Sequence, residues 1–123
     1  MSTPQRVVIL GASNKPERYS NRAMKDLLKA GHEVVLVNRG IQEIDGMPVH
    51  QSLADITGEV DTLTMYVNRD ISTLEADKIV ALKPKRAIFS PGTENAPLQE
   101  RLKAAGVETL EACPLVMLRT GEF

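Results

Sequence analysis

Three observations predict an α/β fold with a doubly wound, mainly parallel sheet and helices on both faces. Short β-branched runs alternate with helical patterns, the runs end in glycine, hydroxyl or amide residues, and neither repeats nor a linker interrupt the series. The 123 residues suit one domain spanning 1–123, long enough to bury a sizeable core.

The elements follow in order. "RVVIL" at 6–10 reads as a fully buried strand. Ser20 or Asn21 is positioned to cap the next helix, whose Ala23, Met24, Leu27 and Leu28 form one apolar stripe; Gly31 closes it. "EVVLVN" at 33–38 is the second strand. A looser stretch then carries a turn at Asp45-Gly46, a very short strand at 48–50 and one or two helical turns begun by Ser52. "VDTLTMYVN" at 60–68 is a clear strand, and Asp70 or Ser72 with Glu75 marks a helix that runs to Lys83-Pro84. "RAIFS" at 86–90 follows, then a helix carrying Leu98, Leu102 and Ala105 and ended by Gly106, and then the final strand "VETLEA" at 107–112. The apolar "PLVML" beyond it is suited either to its own sheet or to a partner's, so a homodimer stays open.

Composition narrows the function. With 15 basic and 16 acidic residues and a net charge of -1, the chain has no general affinity for nucleic acid or membrane, and any anion site must be local. The N-terminus has no signal-like apolar region and no run suits a membrane span, which predicts a cytoplasmic protein. One cysteine excludes an internal disulfide framework, and His32 and His50 do not share metal-ligand spacing with Cys113, so no metal is expected.

In such folds ligands bind beyond the carboxyl ends of the strands. Here those ends are Gly11 to Ser13, Val37 to Arg39, Tyr66 to Arg69, Ser90 to Gly92 and Ala112-Cys113, without a pair of carboxylates, and no residue is assigned a catalytic role. Gly11 to Ser13 before a helix start form a candidate phosphate cradle, which the cations Lys15 and Arg18 would reinforce. An NAD site wants an acidic residue after the second strand; Asn38-Arg39 favours a phosphorylated nucleotide instead, either NADP or coenzyme A. Each residue also has a plain reading: Gly11 as a tight turn, Arg39 as a solvated turn residue, Tyr66 as core, "PGTEN" as a helix start and Cys113 as a small buried hydrophobe. His32 precedes its strand, away from the predicted crevice, and reads as structural.

The blocks "GASNKPERYSNRAMKDLLKAGHEVVLVNRG", "IDGMPVHQSLADI", "VDTLTMYVN", "SPGTEN" and "EACPLVM" resemble, in order and over nearly the whole chain, the small single-domain CoA-binding proteins. These look like the CoA-binding domain of the succinyl-CoA synthetase α subunit. The resemblance implies a Rossmann-type fold holding coenzyme A, or an acyl-CoA, at the carboxyl edge of the sheet. It implies phosphate at Gly11, Ala12 and Ser13, with Lys15, Arg18 and Tyr19 along the same loop. Val37, Asn38 and Arg39 would meet the adenosine and its 3′-phosphate, and Tyr66, Val67 and Asn68 would flank the nucleotide. Ser90, Pro91, Gly92 and Cys113 would line the pantetheine arm. Where the family commonly has Asn-Pro, this chain has Asn38-Arg39, and it lacks the synthetase's domain with the phosphorylated histidine. The expectation is therefore a binding protein, non-catalytic on its own, to which a catalytic partner protein would bring chemistry. Two alternatives are an NADP-binding oxidoreductase and a redox protein forming a mixed disulfide between Cys113 and CoA.

Overall fold

The computed structural model describes residues 3–123. The strands are β1 (Arg6–Leu10), β2 (Glu33–Val37), β3 (Glu43–Ile44), β4 (Met47–His50), β5 (Thr62–Met65), β6 (Arg86–Phe89) and β7 (Glu108–Glu111). They form one sheet in the order β3-β4-β2-β1-β5-β6-β7, parallel throughout except for the antiparallel β3–β4 pair. The helices are α1 (Tyr19–Lys29), α2 (Arg69–Leu74), α3 (Ala76–Leu82), α4 (Ala96–Ala104) and α5 (Pro114–Thr120), with a 3-10 turn at Leu53–Asp55.

Alternation along the strands divides the core between two faces. Val8, Leu10, Leu63, Met65, Ala87 and Phe89 pack with Leu53, Ile79, Leu98 and Leu102 of the 3-10 turn, α3 and α4. Val7, Ile9, Leu36 and Ile88 pack on the other face with Met24 and Leu27 of α1, and with Met117 and Leu118 of α5. The "PLVML" segment thus covers its own sheet, which leaves Val116 exposed.

The structure departs from the sequence reading at several places, among them the strand read over 60–68, which is limited to Thr62–Met65. Helix α1 starts at Tyr19 with Arg18 in the cap position and no side-chain cap, so Asn21 lies within the helix and its amide turns inward. Leu28, assigned to the apolar stripe, is half-exposed because α1 is covered on one side only. After β5 the helix begins one residue past Asn68, whose side chain accepts from the Ile71 N–H at 2.9 Å, and it breaks at Glu75 into α2 and α3. Neither Asp70 nor Ser72 holds the cap position, since Asn68 already does.

The sheet reverses direction of winding between β1 and β5, because α1 leads outward to β2 while α2–α3 and α4 lead outward to β6 and β7. The loops beyond β1 and β5 therefore diverge and leave a crevice at the carboxyl edge.

Candidate functional site

A cleft of about 740 Å³ occupies that crevice. It is lined by the loop after β1 (Gly11 to Lys15), the start of α1 (Arg18, Tyr19, Ser20), Asn38 and Ile41 after β2, and Tyr66 to Asn68 with Ile71 after β5. Ser90, Pro91 and Thr93 after β6 and Cys113 after β7 complete it.

Its left end, over β1 and β2, is built around Gly11. That residue has φ +92°, and a Cβ there would lie 2.9 Å from the carbonyl carbon and oxygen of Tyr66, so only glycine lets the two chain turns meet. The N–H groups of Gly11 and Ala12 both donate to the Val37 carbonyl, at 3.0 and 3.1 Å. This corrects the expected cradle: those two amides are already committed to the sheet edge and are not free for an anion.

The next two amides differ. Asn38 Nδ2 donates to the Ala12 carbonyl at 2.6 Å, and Asn21 Nδ2 donates to the Ser13 carbonyl at 2.8 Å. In a trans peptide the N–H points opposite to the carbonyl, so drawing both carbonyls toward these side chains turns the N–H groups of Ser13 and Asn14 the other way. Neither N–H has a partner among the described residues, and the same is true of Tyr19 and Ser20 in the first turn of α1. That turn contains no acidic residue, while Lys15 and Arg18 stand exposed beside it. Unpaired amides, the positive end of a helix and two cations make this end of the cleft suited to an anion.

The other end, over β6 and β7, has no charged lining residue. Ser90 is 5% exposed, and neither its Oγ nor the buried hydroxyl of Tyr66 makes a well-formed hydrogen bond among the described residues, although the two hydroxyls are neighbours. Burial pushes the Tyr66 phenol well above its ordinary value, an effect the Ser90 hydroxyl opposes and the Cys113 side chain reinforces. Cys113 is a half-buried free thiol at the cap position of α5. Thr93 is engaged, its hydroxyl donating to the Ser90 carbonyl at 2.7 Å.

Of the residues singled out from sequence, Gly11, Ala12, Ser13, Lys15, Arg18, Tyr19, Asn38, Tyr66, Val67, Asn68, Ser90, Pro91 and Cys113 come together around the cleft. Val37, Arg39 and Gly92 do not line it. Val37 is buried beneath it, contributing only its carbonyl to Gly11 and Ala12, and Arg39 is exposed in the turn after β2. Gly92 donates its N–H to Glu94 Oε1 at 3.0 Å. The residues named from sequence did not include Asn14, Ser20, Ile41, Ile71 and Thr93, of which Asn14 carried a signal as a polar residue inside the anion loop and Thr93 as part of the "PGTEN" turn.

His32 lies at the opposite, amino edge of the sheet. Its Nδ1 accepts the Gln5 N–H at 3.0 Å and its ring packs tilted on Phe123 at 5.3 Å, which fits a structural role. The described residues contain no cluster of three potential metal ligands, and no helix among them is long and apolar enough to cross a membrane.

Comparison with known proteins places this geometry among relatives. A family profile described as a CoA binding domain matches residues 5–119. The chain is 32% identical over 62 residues to the uncharacterized protein YneT of Bacillus subtilis (strain 168), a match covering 50% of this chain and 46% of that protein. It is 32% identical over 65 residues to the α subunit of acetate–CoA ligase (ADP-forming) II of Pyrococcus furiosus, covering 52% of this chain and 14% of the subunit. The matched region is thus less than half the length of either relative. Among solved structures, the crystal structure of an uncharacterized protein aligns with a TM-score of 0.93 and 40% identity, covering 99% of this chain and 100% of the other.

Proposed function

Since the chain belongs to the CoA binding domain family, we propose that it binds coenzyme A or an acyl-CoA in the cleft and is non-catalytic on its own. The observation that carries this reading is the cleft's polarity: unpaired amides and two cations at one end, uncharged hydroxyls and a thiol at the other. From β1 to β7 there are three strand spacings, about 14 Å in all, so a long ligand with an anionic head and a neutral tail spans it. The phosphates lie on the N–H groups of Ser13, Asn14, Tyr19 and Ser20 with Lys15 and Arg18. The pantetheine arm crosses Tyr66 toward Ser90 and Cys113. Arg39, outside the lining, reaches a phosphate only by extending from its turn.

No lining residue supplies a matched acid and base, so any reaction belongs to a partner protein. The similar Pyrococcus protein is by name a ligase subunit, which supports such a partner. Calorimetric titration with CoA, 3′-dephospho-CoA and NADP tests the reading. Micromolar binding of CoA, weakened about tenfold or more by Arg18→Ala, is expected; tighter binding of NADP than of CoA overturns it and favours an oxidoreductase.

The half-buried thiol in the cleft favours a second reading. The Cys113 thiolate attacks one sulfur of oxidised CoA, forming a protein–CoA disulfide and releasing the other CoA as a thiol. Intact mass after incubation with oxidised CoA rises by one CoA only if this occurs, and Cys113→Ser abolishes the gain.

A further inference from the structure

Phosphate binding at the anionic end of the cleft leaves the two hydroxyls at its neutral end unused. Tyr66 and Ser90 both line the cleft, both hydroxyl oxygens are buried, and the two lie close enough to influence one another, yet neither makes a well-formed hydrogen bond to any of the described residues. A buried hydroxyl without a hydrogen bond is costly, so the pair calls for a group from outside the chain. The requirement is specific. The hydroxyls follow β5 and β6, beside Cys113 after β7, and no cation lines this end, so an anionic partner is disfavoured. A tyrosine phenol is protonated at neutral pH in any case, and burial only raises it further, so Tyr66 is a donor. Two O–H donors in a neutral recess match a neutral acceptor with two lone pairs, which is a carbonyl oxygen.

We propose that Tyr66 and Ser90 form a carbonyl-binding recess at the tail end of the cleft, so that the preferred ligand is an acyl thioester of CoA over the free thiol. This rests on the CoA reading and narrows it from the cofactor to its acylated form. The recess recognises the thioester carbonyl, and Cys113 marks where the sulfur passes.

The test compares CoA, acetyl-CoA and S-ethyl-CoA by titration calorimetry. The last two differ in the carbonyl and little else, so their ratio reads the recess. Acetyl-CoA is expected to bind about tenfold more tightly than S-ethyl-CoA, the scale of one to two satisfied hydrogen bonds. Tyr66→Phe and Ser90→Ala, each removing one hydroxyl, are expected to cut the ratio, and the double variant to bring it within about twofold of unity. Equal binding of acetyl-CoA and S-ethyl-CoA by the unaltered chain overturns the proposal while leaving CoA binding intact. If the variants weaken all three ligands alike, the hydroxyls serve the pantetheine arm and the proposal fails. If none of the three ligands binds, the CoA reading itself has failed.

Discussion

Gly11 joins two strands' ends, and its replacement has a calculable effect. A side chain there meets both a positive φ and the Tyr66 carbonyl at 2.9 Å, whereas Gly31, also at φ +92°, has open space around it. Gly31→Ala is expected to cost about 1–2 kcal/mol from backbone strain alone. Gly11→Ala adds the clash with rigid backbone and is expected to cost at least about 2 kcal/mol more, as read by urea denaturation, and to weaken CoA binding by displacing Tyr66. Equal losses at the two positions would mean that the close approach is not needed. Gly11 was legible in the sequence as the glycine ending a buried run, but its partner was not, because the Tyr66 carbonyl lies just past the end of β5, fifty-five positions away. The same limit explains Gly11 and Ala12 as anion donors: a glycine turn advertises free amides, and only the strand pairing reveals that Val37 takes both. Arg39 was read from its place after β2, yet whether such a side chain lines a cleft depends on how the following turn folds away.

At the scale of elements, strands β1, β2, β5 and β6 were legible because buried parallel strands read as short apolar, β-branched runs, whereas the edge strand β7, with no buried residue, showed only through the short run around Val107 and Thr109 after the glycine that closes α4. Strand β3 was not, since Glu43–Ile44 is too short to show any period and pairs only with β4. The join between α2 and α3 was hidden for another reason: the kink at Glu75 involves neither glycine nor proline. What holds α2 in place is Asn95, the cap of α4. Its Oδ1 accepts from the Leu98 N–H at 3.3 Å, while Nδ2 donates to Ser72 Oγ at 2.8 Å and to Thr73 Oγ1 at 3.1 Å. Since Ile71 of α2 lines the cleft, the β6 loop and the β5 loop are coupled through this one amide. Asn95→Ala loses the cap, about 1 kcal/mol, and the bonds to α2, for a total of about 2–3 kcal/mol. Asn95→Ser restores the cap but lacks the reach, and is expected to recover about 1 kcal/mol of stability and little of the ligand affinity. Full recovery of affinity by Asn95→Ser would sever the proposed link between cap and cleft.

Across the whole molecule the two edges of the sheet have opposite characters. At the carboxyl edge amides and hydroxyls stand unpaired, whereas at the amino edge polar groups satisfy one another. Asp61 accepts from the Arg6 N–H at 2.7 Å and pairs with Lys85 at 3.1 Å, and Arg86 donates to Thr62 Oγ1 at 2.9 Å and to the Phe123 carbonyl at 2.7 Å. His32 belongs to this edge. Desolvation first, and then the Arg86 charge, hold its imidazole below the ordinary value, and protonation of Nδ1 would abolish its bond from the Gln5 N–H. Because the folded form binds the proton less readily than the unfolded one, stability is full above an ordinary histidine value of about 6.5 and declines as pH falls toward the folded value. Asp61, held low chiefly by the Arg6 N–H, adds a second loss only in stronger acid. His32→Asn keeps an acceptor for Gln5 but cannot titrate, so the slope of unfolding free energy between pH 7 and 5.5 is expected to flatten in this variant, whatever its absolute stability. The cleft lies at the other end of five-residue strands, about 17 Å away, beyond the range at which changes ordinarily couple. CoA affinity measured at pH 7 is therefore expected to agree within twofold between His32→Asn and the unaltered chain. An unchanged pH slope in His32→Asn would take the histidine out of the stability balance, and a large change in affinity would show that the two edges of the sheet are mechanically linked.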